Sequence, residues 1–219
     1  MDNADFTCLD LRRDGDVLHV VIDHPDSDMN VVDEAMHHDL TRLFRELKQE
    51  DGARAVLISG RGKAFSAGGD FGWFTQLREP RRAFDLRRDA KQMIWDMLDV
   101  ELPIVVAVHG YAMGLGTSIA LFGDVIFMAE SAVIADPHVR AGIVAGDGGV
   151  VAWPLAVGPA RAKEYLMTGD PVPAVEAERI GLVNHVVADE EPAHVREHAG
   201  QAAQLAALVL RSRAEPSRI

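Results

Sequence analysis

Short apolar runs alternate along the chain with amphipathic segments, and this alternation limits the fold more than any other feature. Four runs, at residues 17–22, 55–59, 104–108 and 125–129, are predicted strands. Runs that are apolar on both faces are typical of parallel strands covered by helices on either side. Segments with apolar residues at helical spacing separate them. The sequence therefore predicts an α/β fold with mostly parallel strand pairing.

The predicted helices follow the same order along the chain. Asp33 is expected to cap a helix that runs to about residue 49, because a side-chain oxygen at that position can accept from the first free amides. The further predicted helices are 81–99, a short one to residue 122, 148–157, 161–168, 174–180 and one within 192–211, and 185–187 is a last strand. Without a repeat or a linker, we predict one core domain, 1–190, and a short helical tail, 191–219.

Charge and cysteine content exclude several classes of protein. A net charge of −12 argues against a nucleic-acid partner, which requires a basic surface. No apolar run reaches the roughly 20 residues that span a bilayer, and the acidic N-terminus does not resemble a signal peptide. The single cysteine, Cys8, is expected to be a passive thiol near an edge strand in a reducing compartment. We therefore expect a cytoplasmic protein without a membrane partner.

Two glycine-rich segments, 65–70 (FSAGGD) and 110–116 (GYAMGLG), each follow a predicted strand and lead toward a helix. Glycine lets the backbone approach a ligand closely, and the first amides of a helix have no partner within it. Neither segment is a nucleotide-binding glycine motif, and one such turn alone is more often a simple chain reversal. Two together predict an oxyanion hole, in which backbone N–H groups stabilise a developing negative charge.

The two segments, extended to 63–70 (KAFSAGGD) and 107–116 (AVHGYAMGLG), resemble the signatures of the crotonase (enoyl-CoA hydratase/isomerase) superfamily. The likeness covers roughly residues 15–190. It implies a spiral of ββα turns with two stacked sheets, assembled as a homotrimer or a dimer of trimers, although the helical C-terminal part is shorter than usual. It also implies an acyl-CoA ligand, whose thioester oxygen accepts from the N–H groups of Ala67 and Leu115.

The resemblance further implies which residues line the ligand and what the reaction is. It predicts an enolate formed from an acyl-CoA by a lyase or isomerase of fatty acid metabolism. Coenzyme A enters as part of the substrate, and neither a permanently bound cofactor nor a metal is expected. The residues expected to contact the substrate or its coenzyme are Lys63, Ala64, Phe65, Gly69, Asp70 and Gly114.

The sequence departs from the family at both catalytic positions. Hydratases of this family use two glutamates, and here Ser118 and His138 stand in their places. His138 and Asp147, nine residues apart, resemble instead the segment of β-diketone hydrolases of the 6-oxocamphor hydrolase type. A histidine oriented by a carboxylate is a suitable base, since its ordinary pKa is about 6.5. In the alternative interpretation, His138 adjoins a helix cap and Asp147 only caps the next helix.

Three functions therefore stay open: an acyl-CoA enzyme, a C–C hydrolase of β-diketones with a His/Asp-activated water, and a degenerate homologue that only binds acyl-CoA. Other polar residues have simpler predicted roles. His109 is expected to bond loop backbone, and His37 and His38 to lie on the surface. The basic residues within 78–91 form either a solvated helix face or a lip that receives phosphates.

Overall fold

Six strands form the main sheet of the computed structural model, which describes residues 5–76, 79–189 and 192–214. They are β1 (Leu9–Asp14), β2 (Val17–Ile22), β4 (Ala55–Gly60), β6 (Ile104–Val108), β8 (Val125–Ala129) and β11 (His185–Val187). Their order in the sheet is β1-β2-β4-β6-β8-β11, and only β1 is antiparallel to its neighbour. The central strands are buried on both faces, as their continuous apolar runs predict.

Five very short strands form a second layer. They are β3 (Val31–Val32), β5 (Gly68–Gly69), β7 (Tyr111–Met113), β9 (Val133–Ala135) and β10 (Val172–Pro173). β3 pairs with β5, and β9 lies between β7 and β10. A bridge between Ser66 and Ala112 links the chain next to β5 with β7, and so joins the two small sheets. The second layer thus brings the two glycine-rich segments side by side.

Helices alternate with these strands in the described ranges. They are α1 (Glu34–Leu47), α2 (Phe71–Gln76), α3 (Pro80–Leu98), α4 (Leu115–Leu121), the 3₁₀ helix (Pro137–Ala141), α5 (Gly149–Thr168), α6 (Ala174–Arg179) and α7 (Pro192–Ala214). A strand of the main sheet, a short strand and a helix recur in that order four times, beginning with β2, β3 and α1. The predicted α/β fold of ββα turns is confirmed.

The first helix begins where its capping residue predicts. Oδ1 of Asp33 accepts from the backbone N–H of Met36 at 2.9 Å, and the apolar residues at helical spacing are buried against the sheet. His37 is also buried, and its ring centroid lies 5.6 Å from that of Trp73. The prediction that His37 lies on the surface is therefore wrong, whereas His38 is exposed.

The last helix packs against the main sheet, and four of its residues belong to the same hydrophobic core as the strands: Val195, Ala199, Ala203 and Ala207. The segment predicted as a tail, 191–219, therefore supplies a layer of the core where it is described. None of the helices in the described ranges has the length and apolar character needed to cross a membrane.

Candidate active site

The second glycine turn leaves one backbone amide available at the start of α4. Gly114 has a φ of 53°, which favours glycine, and its N–H donates to the carbonyl of Ala135 at 3.0 Å. Leu115 supplies the next amide, the first of α4, and within the described residues this N–H donates to no backbone carbonyl. The Leu115 side chain is buried in the core. The amide of Leu115 is therefore available to a ligand, and its role as an oxyanion donor stays a prediction.

The first glycine turn differs from its prediction at Ala67. The N–H of Ala67 donates to the carbonyl of Met29 at 2.9 Å, so its only hydrogen is already in use. The prediction that Ala67 is an oxyanion donor is wrong for this reason. Asp70 N–H donates to the carbonyl of Val32 at 2.9 Å. Because successive amides of an extended strand point to opposite sides, the N–H of Gly69 points away from β3.

A cavity of about 280 Å³ lies between the two turns and the 3₁₀ helix. Its walls include Gly69 from the first turn, Gly114 from the second, and Pro137, His138 and Arg140 from the 3₁₀ helix. His138 packs against the second turn, because its Cε1 atom is 3.1 Å from where a Cβ on Gly114 would stand. The structure therefore brings His138, Gly69 and Gly114 to one cavity, whose volume is just below the range of roughly 300–1,000 Å³ that is typical of small-molecule sites.

His138 lies between two carboxylates. Its Nε2 is 3.1 Å from Oδ2 of Asp147, as the nine-residue spacing predicts, and its Nδ1 contacts Oδ1 of Asp136. The His138 side chain is 12% exposed and the Asp136 side chain 1%. Asp136 was not predicted as a site residue. The one hint in the sequence was the order Asp136-Pro137-His138. A residue two positions before a histidine can reach its ring only in certain turns, so this order alone does not predict the contact.

The two carboxylates change the protonation of His138. Burial opposes a charge on the ring, but the hydrogen bonds and charges of Asp136 and Asp147 outweigh it and raise the pKa of His138 from 6.5 to about 10. The ring is therefore protonated at neutral pH. This contradicts the prediction that His138 is a base near its ordinary pKa, and makes it a proton donor.

Ser118 occupies the position at which the resemblance expects the first glutamate. Its side chain is fully buried on α4, and its Oγ makes no hydrogen bond within the described residues. The backbone of Gly148 packs against it, since a Cβ there would stand 2.9 Å from Cβ of Ser118. A serine hydroxyl without a base as partner does not activate water, so the site lacks the usual water-activating group.

The segment expected beside the coenzyme is mostly internal. Ala64 and Phe65 are fully buried, and their carbonyls accept from Nδ2 of Asn30. Lys63 is exposed and its ammonium pairs with Asp28 at 2.6 Å. Asp70 accepts from the N–H of Trp73 at 2.7 Å, which fixes the start of α2. Among these residues, Lys63 presents a side chain to solvent, so a coenzyme contact by Ala64 or Phe65 would have to use the backbone.

The remaining polar candidates have structural partners. His109 is buried and its Nε2 lies 3.1 Å from the carbonyl of Gly62, as predicted. Cys8 is fully buried, and burial and nearby aspartates raise its pKa to about 12, so it stays an unreactive thiol. In the basic segment, Arg82 pairs with Glu79 and Arg88 with Asp85 and Asp89, which favours a solvated helix face. Arg78 lies outside the described residues.

Two side-chain clusters in the described ranges bring three potential metal ligands together: Asp136, His138 and Asp147, and separately Cys8, His24 and Asp33. In each, the histidine nitrogens already have hydrogen-bond partners. Nδ1 of His24 accepts from the N–H of Asp26, and its Nε2 is 3.1 Å from Asp33. The expectation of no metal stays a prediction.

Comparison with known proteins identifies the family. A profile described as enoyl-CoA hydratase/isomerase matches residues 12–212, nearly the whole chain. The chain belongs to the enoyl-CoA hydratase/isomerase family. The carnitinyl-CoA dehydratase of Proteus mirabilis (strain HI4320) is 33% identical over 204 residues, which cover 92% of this chain and 77% of that protein.

Solved structures of other proteins have the same fold. An enoyl-CoA hydratase/isomerase from Mycobacterium paratuberculosis superposes with a TM-score of 0.84 at 38% identity, covering 91% of this chain and 78% of that one. DspI from Pseudomonas aeruginosa gives a TM-score of 0.82 at 31% identity, covering 96% and 77%.

Proposed function

We propose that this chain acts on an acyl-CoA thioester, forms an enolate from it and moves a proton with His138 and Asp147. The family description and the similarity to a carnitinyl-CoA dehydratase support a CoA thioester as substrate. The main support for the proposal is that the His138 ring packs against Gly114, the residue that precedes Leu115. The acid–base pair thus adjoins the amide that would hold the thioester oxygen.

The enolate is stabilised by two backbone amides in this proposal. Leu115 N–H is one donor, and Gly69 N–H replaces Ala67 as the other, because it points away from β3 and Gly69 lines the cavity. Charge that develops on the thioester oxygen meets donors fixed in place beforehand. In other enzymes the loss of one such donor costs about 3–4 kcal/mol of transition-state stabilisation. Coenzyme A is part of the substrate, and no other cofactor takes part.

Isomerisation is the reaction that these side chains serve most directly. Asp147 takes the α proton of a 3-enoyl-CoA, the double bond shifts toward the carbonyl, and His138 gives a proton to the γ carbon. A proton transfer from Asp147 to Nε2 of His138, across 3.1 Å, then returns both groups to their starting states. Oδ1 of Asp147 is buried, whereas the side chain as a whole is 20% exposed, so Oδ2, the oxygen that faces Nε2 of His138, is the one that accepts the first proton in this proposal. No water-activating group is needed at Ser118.

The hydrolase alternative requires a different protonation state. A water activated by His138 needs a neutral ring, whereas the two carboxylates raise the pKa of His138 to about 10. The contacts of His138 therefore favour proton transfer within an acyl-CoA over C–C bond hydrolysis of a β-diketone. Binding of an acyl-CoA without a reaction does not require a protonated histidine in the cavity.

The proposal is tested by incubating the protein in D₂O with a 3-enoyl-CoA and, in parallel, with a 2-enoyl-CoA and a cyclic β-diketone. We expect formation of the 2-enoyl thioester with deuterium at the γ carbon, measured by mass spectrometry, and competition by free coenzyme A. Cleavage of the diketone without any exchange in the thioesters would identify the hydrolase instead. Thioester binding without turnover or exchange would identify the degenerate homologue.

A further inference from the structure

Both ring nitrogens of His138 face carboxylate oxygens. Nδ1 contacts Oδ1 of Asp136, and Nε2 lies 3.1 Å from Oδ2 of Asp147. A neutral imidazole has one N–H and turns a lone pair toward the second carboxylate, whereas an imidazolium donates from both nitrogens. Two carboxylates on one ring therefore select the doubly protonated form.

We propose that Asp136 is a positioning residue that, together with Asp147, keeps both nitrogens of His138 protonated and holds the ring against Gly114, so that His138 enters the reaction as a proton donor. Asp136 is 1% exposed and does not line the cavity, so it acts through His138 and not on the substrate. His138 would then be the general acid of the proposed reaction. Only the kinetic consequences of this inference rest on the proposed function.

The backbone around Asp136 is shaped for this contact. Asp136 precedes the 3₁₀ helix, and its Oδ1 also accepts from the N–H of His138 at 3.4 Å. At the start of α5, a Cβ on Gly149 would stand 2.2 Å from Oδ2 of Asp136, so any side chain there would displace the carboxylate. Oδ2 has no hydrogen-bond partner in the described ranges. The His138 ring is then the group that compensates the buried charge of Asp136.

No other charged group competes for His138 within the described elements that pack around it. Arg140, on the same 3₁₀ helix, bonds to Asp170 at 2.7 Å. From α4 the neighbours are the uncharged Gly114 and Ser118. His37 on α1 interacts with Asp147 but is buried, and burial lowers its pKa. Asp136 and Asp147 therefore set the protonation of His138, whose pKa they raise to about 10 against the effect of burial.

The test follows the protonation of the ring itself. The protein is labelled with ¹⁵N-histidine and titrated by NMR from about pH 5 to about pH 11, with His138→Gln used to assign the signal. In the unmodified chain we expect both nitrogens to stay protonated until the pH approaches 10. In Asp136→Asn the midpoint should fall by at least about one pH unit, because one opposite charge is lost. The control Asp170→Asn removes the partner of Arg140 and should leave the His138 midpoint unchanged.

The same variants separate positioning from a merely structural role. Asp136→Asn should move the alkaline fall of kcat/KM to lower pH by the same amount as the NMR midpoint, and retain most activity near pH 6. A structural role would lower the rate at every pH without moving that midpoint. If Asp136→Asn does not fold, Gly149→Ala displaces the carboxylate and should lower the midpoint in the same direction.

A His138 midpoint near 6.5 in the unmodified chain would overturn the inference, and so would an unchanged midpoint in Asp136→Asn. A proton found on the Asp136 carboxyl with a neutral ring would also overturn it. The NMR titration needs no substrate, so a failure of the proposed acyl-CoA chemistry would leave this test intact and would be recognised separately.

Discussion

Histidines in this chain differ in role because they differ in the number of acceptors around the ring. His24 accepts at Nδ1 from the N–H of Asp26 and faces Asp33 with Nε2, so a single ring proton satisfies both contacts. His109 faces one carbonyl. His138 faces two carboxylates and needs two protons. Among the histidines whose side chains the structure describes, only His138 combines this demand with a place on the cavity wall, which makes it suited to proton transfer.

Replacement of His138 tests that role directly. His138→Gln keeps a polar side chain of similar length but removes the transferable proton, so kcat on the acyl-CoA substrate should fall by about 10²-fold or more while KM changes little. The measurement is steady-state kinetics near neutral pH. His38→Gln, at an exposed position on α1, is the matched control and should keep full activity. Full activity in His138→Gln would remove His138 from the mechanism.

The sequence predicted that His138 lies next to Asp147, but it did not predict the contact with Asp136, and it named the amide of Ala67 where the amide of Gly69 is available. The pairing of His138 with Asp147 follows from their spacing and from the resemblance. Asp136 could not be predicted, because only the 3₁₀ turn at Pro137 brings its carboxylate to the ring. The choice between the amides of Ala67 and Gly69 depends on which of them faces β3. The φ of 81° at Gly68 sets that direction, and sequence does not reveal it.

At the scale of elements, long apolar runs were predictable and short strands were not. The core strands of the main sheet coincide with their predicted ranges to within a residue. β3 and β5 have two residues each, too few to show any periodicity, and they form only because the layer above the main sheet pairs them. The prediction of two helices at 148–157 and 161–168 is matched by α5, which is interrupted at Gly158.

The interruption of α5 can be tested through one glycine. Gly158 has φ 77° and ψ 160°, a region that residues with a side chain rarely adopt, and no atom lies within 4 Å of its would-be Cβ. Gly158→Ala should therefore destabilise the fold by about 1–3 kcal/mol through backbone strain alone. Gly200→Ala in α7 is the matched control and should stabilise by up to about 1 kcal/mol, since it improves a regular helix. Urea unfolding of both variants shows whether each change lowers or raises the free energy of unfolding.

At the scale of the whole molecule, exposed apolar side chains gather on the segment that follows His138. Val144 is 79% exposed and Leu155 is 74% exposed, and the neighbouring exposed residues are Ile143, Val150 and Val151. Monomeric proteins rarely expose large apolar patches, so we expect these side chains to be covered. The segment also carries Asp147, so whatever covers it would hold the site loop in place. The homotrimer or dimer of trimers that we predict would supply such a cover from a second copy of the chain.

Disruption of this patch tests the assembly and its link to the site. Leu155→Glu places a charge among the exposed apolar residues of α5, so it should reduce the mass measured by light scattering from a multiple of three chains toward one. Activity should fall with the assembly, because residues 142–148 lose their cover and Asp147 lies among them. Val175→Glu, which is 63% exposed on α6, is the control and should leave mass and activity unchanged. A stable single chain in the unmodified protein would contradict the predicted assembly, and full activity in a dissociated Leu155→Glu would separate assembly from catalysis.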